Sequence, residues 1–230
     1  EKAFIGCEFS GSLIFPDSVK SIGNYSFFGC IYFNGVIIIG DGCDVIGNSA
    51  FAQCEGLTGG VKIGKNVTCI GARAFFGCDS LTGNLEIPEK VVTIGDSAFA
   101  NCRKLSGSII LHEGLKEIGE CAFSECVNLS GTLTLPKSLQ KIGTMAFFRC
   151  IGIKDVYFKN NEVKVGIMAF SRMSNKCFSN VPDGFADKDA KKYDSDNFKG
   201  VMLPESFLNM HCDAFYVIDN IVVILTSACS

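Results

Sequence analysis

The chain has 230 residues, 47% of them hydrophobic, and a formal net charge of −3. That length fits one large domain or two small ones, with enough apolar side chain for a sizeable core. The near-balanced charge argues against a nucleic acid or an acidic lipid surface held by a basic face as a partner.

Glu1–Cys7, "EKAFIGC", reads as the end of a motif, as in a fragment or a processed chain. A coil opened at that point leaves strand edges unpaired, so end-to-end self-association is an expectation. From there a period runs along the chain. Phe4, Phe27, Phe51, Phe75, Phe99, Phe123, Phe147 and Phe170 follow one another at steps of 23 or 24. Three residues after each comes Cys7, Cys30, Cys54, Cys78, Cys102, Cys126 or Cys150, with Met173 in the eighth place. Ile-Gly precedes the Phe at Ile22-Gly23, Ile46-Gly47, Ile70-Gly71, Ile94-Gly95, Ile118-Gly119 and Ile142-Gly143.

Each period holds two strand-like stretches. The first, L-x-I-P, occurs at Leu13–Phe15, Ile37–Ile39, Val61–Ile63, Leu85–Ile87, Ile109–Leu111, Leu133–Leu135 and Val156–Phe158. Its alternation buries one face and leaves the other wet. Pro16, Gly40, Gly64, Pro88 or Pro136 then stops the strand. The second, V-x-x-I-G, is more loosely strand-like. The A-F-x-x-C-x-x-L stretch has the three-residue spacing of a short 3₁₀ or single helical turn. One coil cannot bury its apolar side alone, but a stack can, at about 4.8 Å per strand. The sequence therefore predicts a β-rich solenoid of about eight to nine coils, with a parallel sheet and short 3₁₀ or helical turns.

The rhythm fails after Met173. A polar stretch of about 176–199, rich in Asp and Lys, reads as an insertion of one coil's length. "VMLPESFLNMHCDAF", Val201–Phe215, fits the template again, and "IVVIL", Ile221–Leu225, suggests a last strand. The expected organisation is one solenoid over 1–230, with coils to 175, the insertion, then a final coil and end over 200–230. The last apolar run is too short to span a bilayer, so no membrane insertion is expected of these residues.

The combination of L-x-I-P, V-x-x-I-G and A-F-x-x-C resembles the BspA-like leucine-rich repeats, the treponemal class. Ordinary leucine-rich repeats carry L-x-x-L-x-L-x-x-N and lack A-F-x-x-C. The likeness covers Ala3 to about Met173 and Val201 to Phe215, and the chain departs from the pattern at Met173, His211 and the insertion. "VPDGFAD", Val181–Asp187, is similar to an interruption in gut-bacterial members. The resemblance implies a surface-displayed or secreted, adhesive, protein-binding role, and supplies no catalytic residue or cofactor.

Thirteen Cys invite zinc, but the sequence has no C-x-x-C pair, and seven Cys share one repeat position. In-register rungs about 4.8 Å apart suit buried free thiols acting as small hydrophobes better than disulfides or a metal site. A bridge among Cys177, Cys212 and Cys229, outside the ladder, stays open. His112 stands where other coils have the turn Pro, and His211 where they have Gly before A-F, so both read as turn or surface residues. Asp187, Asp189, Asp194 and Asp196 lack the spacing of a calcium loop and read as a solvated segment. Asn24, Asn66 and Asn128 begin glycosylation-type patterns. Phe28, Phe76 and Phe148 read as added edge packing, with partly exposed binding aromatics as the alternative. No metal, cofactor or catalysis is expected.

The candidate site is the residue between the two buried letters of each first strand: Ile14, Ile38, Lys62, Glu86, Ile110, Thr134 and Tyr157. These stack one per coil, point outward and vary, while the inward ladders repeat. A host-cell or matrix protein on this face is one reading, with the protein at the cell surface or outside the cell. An intracellular scaffold of the same architecture is the other.

Overall fold

The computed structural model describes residues 1–160 and 162–173, together with the backbone of 177–179, 215–218 and 221–224. The described coils stack in chain order, each pairing only with its neighbours, as a parallel solenoid requires.

The first-strand series is Gly11–Phe15, Phe33–Ile39, Val61–Lys62, Leu85–Glu86, Ile109–Ile110, Gly131–Leu135 and Ile153–Phe158. The second is Ser21–Ile22, Val45–Ile46, Cys69–Ile70, Thr93–Ile94, Glu117–Ile118, Lys141–Ile142 and Lys164–Val165. The second series, the looser of the two by its sequence pattern, makes the continuous sheet of seven strands. The first is interrupted. In this series, among the described residues, no ladder joins Val61–Lys62 to Leu85–Glu86, and only the bridge Gly107↔Leu129 lies between Ile109–Ile110 and Gly131–Leu135.

The Ile-Gly pair explains the continuity. A Cβ on Gly95 would lie 2.5 Å from the backbone nitrogen of Ala72, one on Gly47 2.7 Å from that of Asn24. Backbone packs on backbone here, so each coil needs Gly for close approach rather than for a turn. The amide of Gly71 then donates to the Ile46 carbonyl at 2.8 Å, back toward the previous coil.

The A-F-x-x-C stretch is a tight turn, but the expected 3₁₀ pattern is replaced by an alternating one. The amides of Ser49, Phe51 and Gln53 donate to Ala72, Ala74 and Phe76 of the next coil at 2.8, 2.8 and 2.7 Å. The intervening amides of Ala50, Ala52 and Cys54 fold back three residues, at 3.3 Å. A neighbouring coil offers a carbonyl to every second amide, and that competes with the local helical bond. Left-handed residues flank the core Phe as a result, such as Ser97 (φ 54) and Asn101 (φ 61) around Phe99. Each such residue costs about 1 kcal/mol, offset by the bonds between coils.

Inside, the Phe rings of consecutive coils stack at 5.0 to 5.5 Å between centroids from Phe27 to Phe170. Phe51, Phe75, Phe99, Phe123 and Phe147 are fully buried, beside Leu57, Leu81, Leu105 and Leu129.

Two findings differ from expectation near the end. Cys177–Ser179, which the repeat pattern assigns to the insertion, pairs in parallel with Ile153–Phe158 and so extends the first sheet. Phe215, expected as a turn Phe, lies in the strand Phe215–Ile218, which pairs antiparallel with Ile221–Ile224. The remainder of the insertion and final coil lies outside the described residues, as do the Asp cluster, His211, Cys212 and Cys229.

Candidate binding surface

All seven ladder residues fall on the first-strand series. The register places Ile14 beside Ile38, Ile38 beside Lys62, Glu86 beside Ile110, and Thr134 beside Tyr157, which in turn neighbours Ser179. Their flanking letters point inward: Ile37, Leu85, Leu133 and Val156 are buried. Ile14 is 64% exposed, Ile110 40% and Tyr157 42%. Lys62 and Glu86 are exposed, while Ile38 and Thr134 are half-buried. The ladder is not one unbroken row, because the missing rungs divide it after Lys62 and after Ile110.

At the first of those breaks a groove of about 760 Å³ opens between the strand ends and the following turns. Lys62, Glu86 and Ile110 line it together with Asp41, Lys65 and His112. The core residues beneath it, Val61 and Ile63, keep 8% and 7% exposure, where the equivalent Leu85 and Ile87 keep 0% and 1%. The Lys65 ammonium lies 2.7 Å from the Asp41 carboxylate. That contact holds the Asp41 carboxyl below its usual range and the Lys65 ammonium above its own. His112 Nε2 lies 3.3 Å from Glu86 Oε1. The repeat pattern alone marks His112 only as a turn residue. The signal that places it is a spacing of 26, one coil plus two, which sets a turn side chain over the preceding strand.

A further ladder has no signature in the repeat letters. The turn carboxylates of Asp17 and Asp41 accept the amides of Asp41 and Lys65, one coil on, at 2.7 and 3.0 Å. Glu113 accepts those of Lys137 and Ser138 at 3.2 and 3.1 Å. Slight burial pushes the Glu113 carboxyl up, but these amides and the Lys159 ammonium outweigh it and hold it low.

The buried cysteines are more than small hydrophobes. Sγ of Cys54, Cys78, Cys102, Cys126 and Cys150 each donates to a Phe carbonyl 27 residues earlier, at 3.0 to 3.1 Å. Burial pushes Cys54 and Cys126 up to about 12 and Cys78 and Cys102 well above the ordinary thiol value. They stay protonated, as a donor must. Cys30, Cys54, Cys78, Cys102 and Cys126 are thiols, not halves of disulfides. Among the described residues no three His, Cys, Asp or Glu side chains converge as metal ligands would. Asn24, Asn66 and Asn128 each already donate their side-chain amide, to Glu1, Asp41 and Arg103. Phe28, Phe76 and Phe148 are half-buried, with the Arg73 guanidinium 5.8 Å from the Phe76 ring.

Six copies of the BspA type leucine rich repeat region match the sequence, over residues 1–130, 70–187 and 107–222. The chain belongs to the BspA-type leucine-rich-repeat family. A leucine-rich cell surface protein from Faecalibacterium prausnitzii A2-165 is 30% identical with a TM-score of 0.60, over 71% of this chain and 43% of that one. A leucine-rich repeat protein from Bacteroides ovatus ATCC 8483 is 27% identical with a TM-score of 0.53, over 71% of this chain and 50% of that one. The Treponema pallidum leucine-rich repeat protein, at 22% identity and a TM-score of 0.61, covers 70% of this chain and 75% of its own, and shows the shared fold. The chain thus spans less than half the length of the F. prausnitzii relative. No curated protein matches the sequence. No helix among the described residues is long and apolar enough to cross a membrane.

Proposed function

We propose that this chain is the binding part of a surface-displayed or secreted adhesin that contacts host-cell or matrix proteins without catalysing a reaction. The observation that carries the reading is the contrast between the inward and outward ladders of the first strands. Phe, Ile and Leu repeat inside, whereas Ile14, Lys62, Glu86, Ile110 and Tyr157 change from coil to coil and stand in solvent. Exposed β-branched and aromatic side chains on a wet sheet face suit a partner better than water. Tyr157 is the expected anchor, since Tyr so often carries interface energy. The similarity to a cell surface protein of F. prausnitzii supports the location.

The test replaces Ile38, Ile110 and Tyr157 with Ser or Lys, confirms folding by circular dichroism, and measures binding to epithelial cells and immobilised matrix proteins. Loss of binding supports the surface, and unchanged binding moves the site to another face. The unbridged thiols favour a second reading, an intracellular scaffold in a reducing compartment. Protease shaving of intact cells separates the two, because a surface protein is digested and an internal one is not.

A further inference from the structure

The outward ladder of the central coils reads Ile38, Lys62, Glu86, Ile110: apolar, positive, negative, apolar. Reversed, it has the same shape with the charges exchanged. A surface with that pattern is complementary to a second copy of itself. Two such faces, related by a two-fold axis parallel to the strands between the third and fourth coils, oppose coils in reverse order. Lys62 then meets the partner's Glu86 twice, and Ile38 meets the partner's Ile110 twice.

From these observations we infer that the first-strand face is a self-recognition surface, by which two copies of this chain pair antiparallel about the Lys62–Glu86 centre. This rests on the reading of the face as a binding surface and names its partner.

Three further observations fit the same axis. Among the described residues Lys62 makes no ion pair, and Glu86 has only His112, at 3.3 Å, so both charges are available. The turn column next to the ladder repeats the exchange. Lys65 opposes the partner's Glu89, and Asp17 opposes the partner's Lys137. Its one like-charged pairing, Asp41 with the partner's Glu113, is already offset within each copy. Asp41 bonds Lys65 at 2.7 Å, and Glu113 is held by two backbone amides and Lys159. The third is the axis itself, which runs over the sheet where Val61–Lys62 and Leu85–Glu86 are unpaired and the groove opens. Long Lys and Glu side chains can reach across such a recess.

The area gives the class of interface. Six coils at about 4.8 Å span about 29 Å, and six residues of strand and turn in each coil at about 3.3 Å span about 20 Å, giving about 600 Å² per partner. The total of about 1,200 Å² stands at the lower limit of specific interfaces, where weak and transient pairs fall, so a weak dimer is expected. With ion pairs at its centre, raising salt weakens it.

The experiment exchanges the charges in the full chain: Lys62→Glu, Glu86→Lys, and the double exchange, with sedimentation equilibrium as the readout. The wild type dimerises at high concentration. Each single variant sets like charges against each other twice and is monomeric, at least tenfold weaker. The double exchange restores the dimer. An equimolar mixture of the two single variants forms a heterodimer, because both opposed pairs become attractive again; a misfolded variant could not do so. A monomeric wild type, single variants that dimerise normally, or a mixture that stays monomeric overturns the proposal. The readings fail separately: if Tyr157→Ser abolishes binding to a matrix protein while the wild type is monomeric, the face binds a foreign partner and self-recognition is wrong.

Discussion

The two sides of each coil obey different rules. On the Ile-Gly and A-F-x-x-C side, backbone meets backbone, and nearly every position is fixed by contact with the coil before or after. There Ile94 and Gly95 recur as Ile118 and Gly119, and the sheet runs unbroken through seven strands. On the first-strand side, the register slips between Gly11 and Leu13 and between Gly131 and Thr132, and two rungs are missing. The difference shows where the solenoid takes its order. A coil held on one side by three turn amides bonded to its neighbour can change length, spacing and outward letters on the other. Variation of the outward letters is thereby separated from the requirements of folding.

The contrast should be broken most strongly by high pH. The thiols of Cys54, Cys78, Cys102 and Cys126 are held protonated by burial, with Cys54 and Cys126 at about 12. Unfolded thiols titrate near 9. Between those values the folded state binds more protons than the unfolded one, so stability is fully present below about pH 9 and falls as pH rises. At one unit above the unfolded value each thiol removes somewhat more than about 1 kcal/mol, and the four together about 6 kcal/mol. Urea midpoints measured from pH 7 to 10.5 should hold to about pH 8.5 and then drop. A variant with Ser at all four positions should lose that drop, and an equal drop in it would remove the thiols from the explanation.

Next comes the stack itself. Phe99→Ala in its centre removes a fully buried ring between Phe75 and Phe123, at 5.0 and 5.4 Å, and should cost about 3–5 kcal/mol by urea titration. Gly95→Ala is smaller, because it drives a methyl into the Ala72 backbone rather than leaving a cavity. About 2–3 kcal/mol is expected, as for overpacking against atoms that cannot move aside. Gly83→Ala has open space but φ +88, so strain alone acts there, at about 1 kcal/mol. A cost for Gly83→Ala above that of Gly95→Ala would show that turn strain, not close approach, fixes the glycines.

The same division explains what is legible in the sequence. Phe75 and Cys78 announce their burial through the period, and alternation names Leu85 and Ile87 as core and Glu86 as outward. Those readings need only spacing. The missing rung between Val61–Lys62 and Leu85–Glu86 depends on small differences in how two backbones approach, which no letter encodes. The Cys102 thiol bond to Phe75 is hidden because its acceptor is a main-chain carbonyl. The left-handed Ser97 and Asn101 are hidden because their conformation follows from amide bonds to the next coil. His112 over Glu86 stands between the two, since the repeat letters mark it only as a turn residue although a separation of one coil plus two residues is itself a spacing.

The smallest effect on stability is expected at Tyr157, where the division between the two sides is sharpest. Its ring is 42% exposed, between a buried Val156 and a buried Phe158. Its backbone is held by the sheet, with Thr134 on one side and Ser179 on the other. Replacing it with Ser keeps those ladder bonds and removes only the ring. Surface changes of this kind shift stability by about 0.5 kcal/mol or less, and part of that reflects lower strand preference rather than lost packing. Truncating an interface Tyr that anchors a partner costs about 2 kcal/mol or more of binding, roughly thirtyfold in affinity. Tyr157→Ser should therefore leave the urea midpoint almost unchanged while weakening adhesion to cells or matrix protein. If stability falls by as much as for Phe99→Ala, the ring is part of the core. If neither quantity moves, its exposure has no functional meaning, and the binding residues must be sought among the groove charges around Lys62 and Glu86.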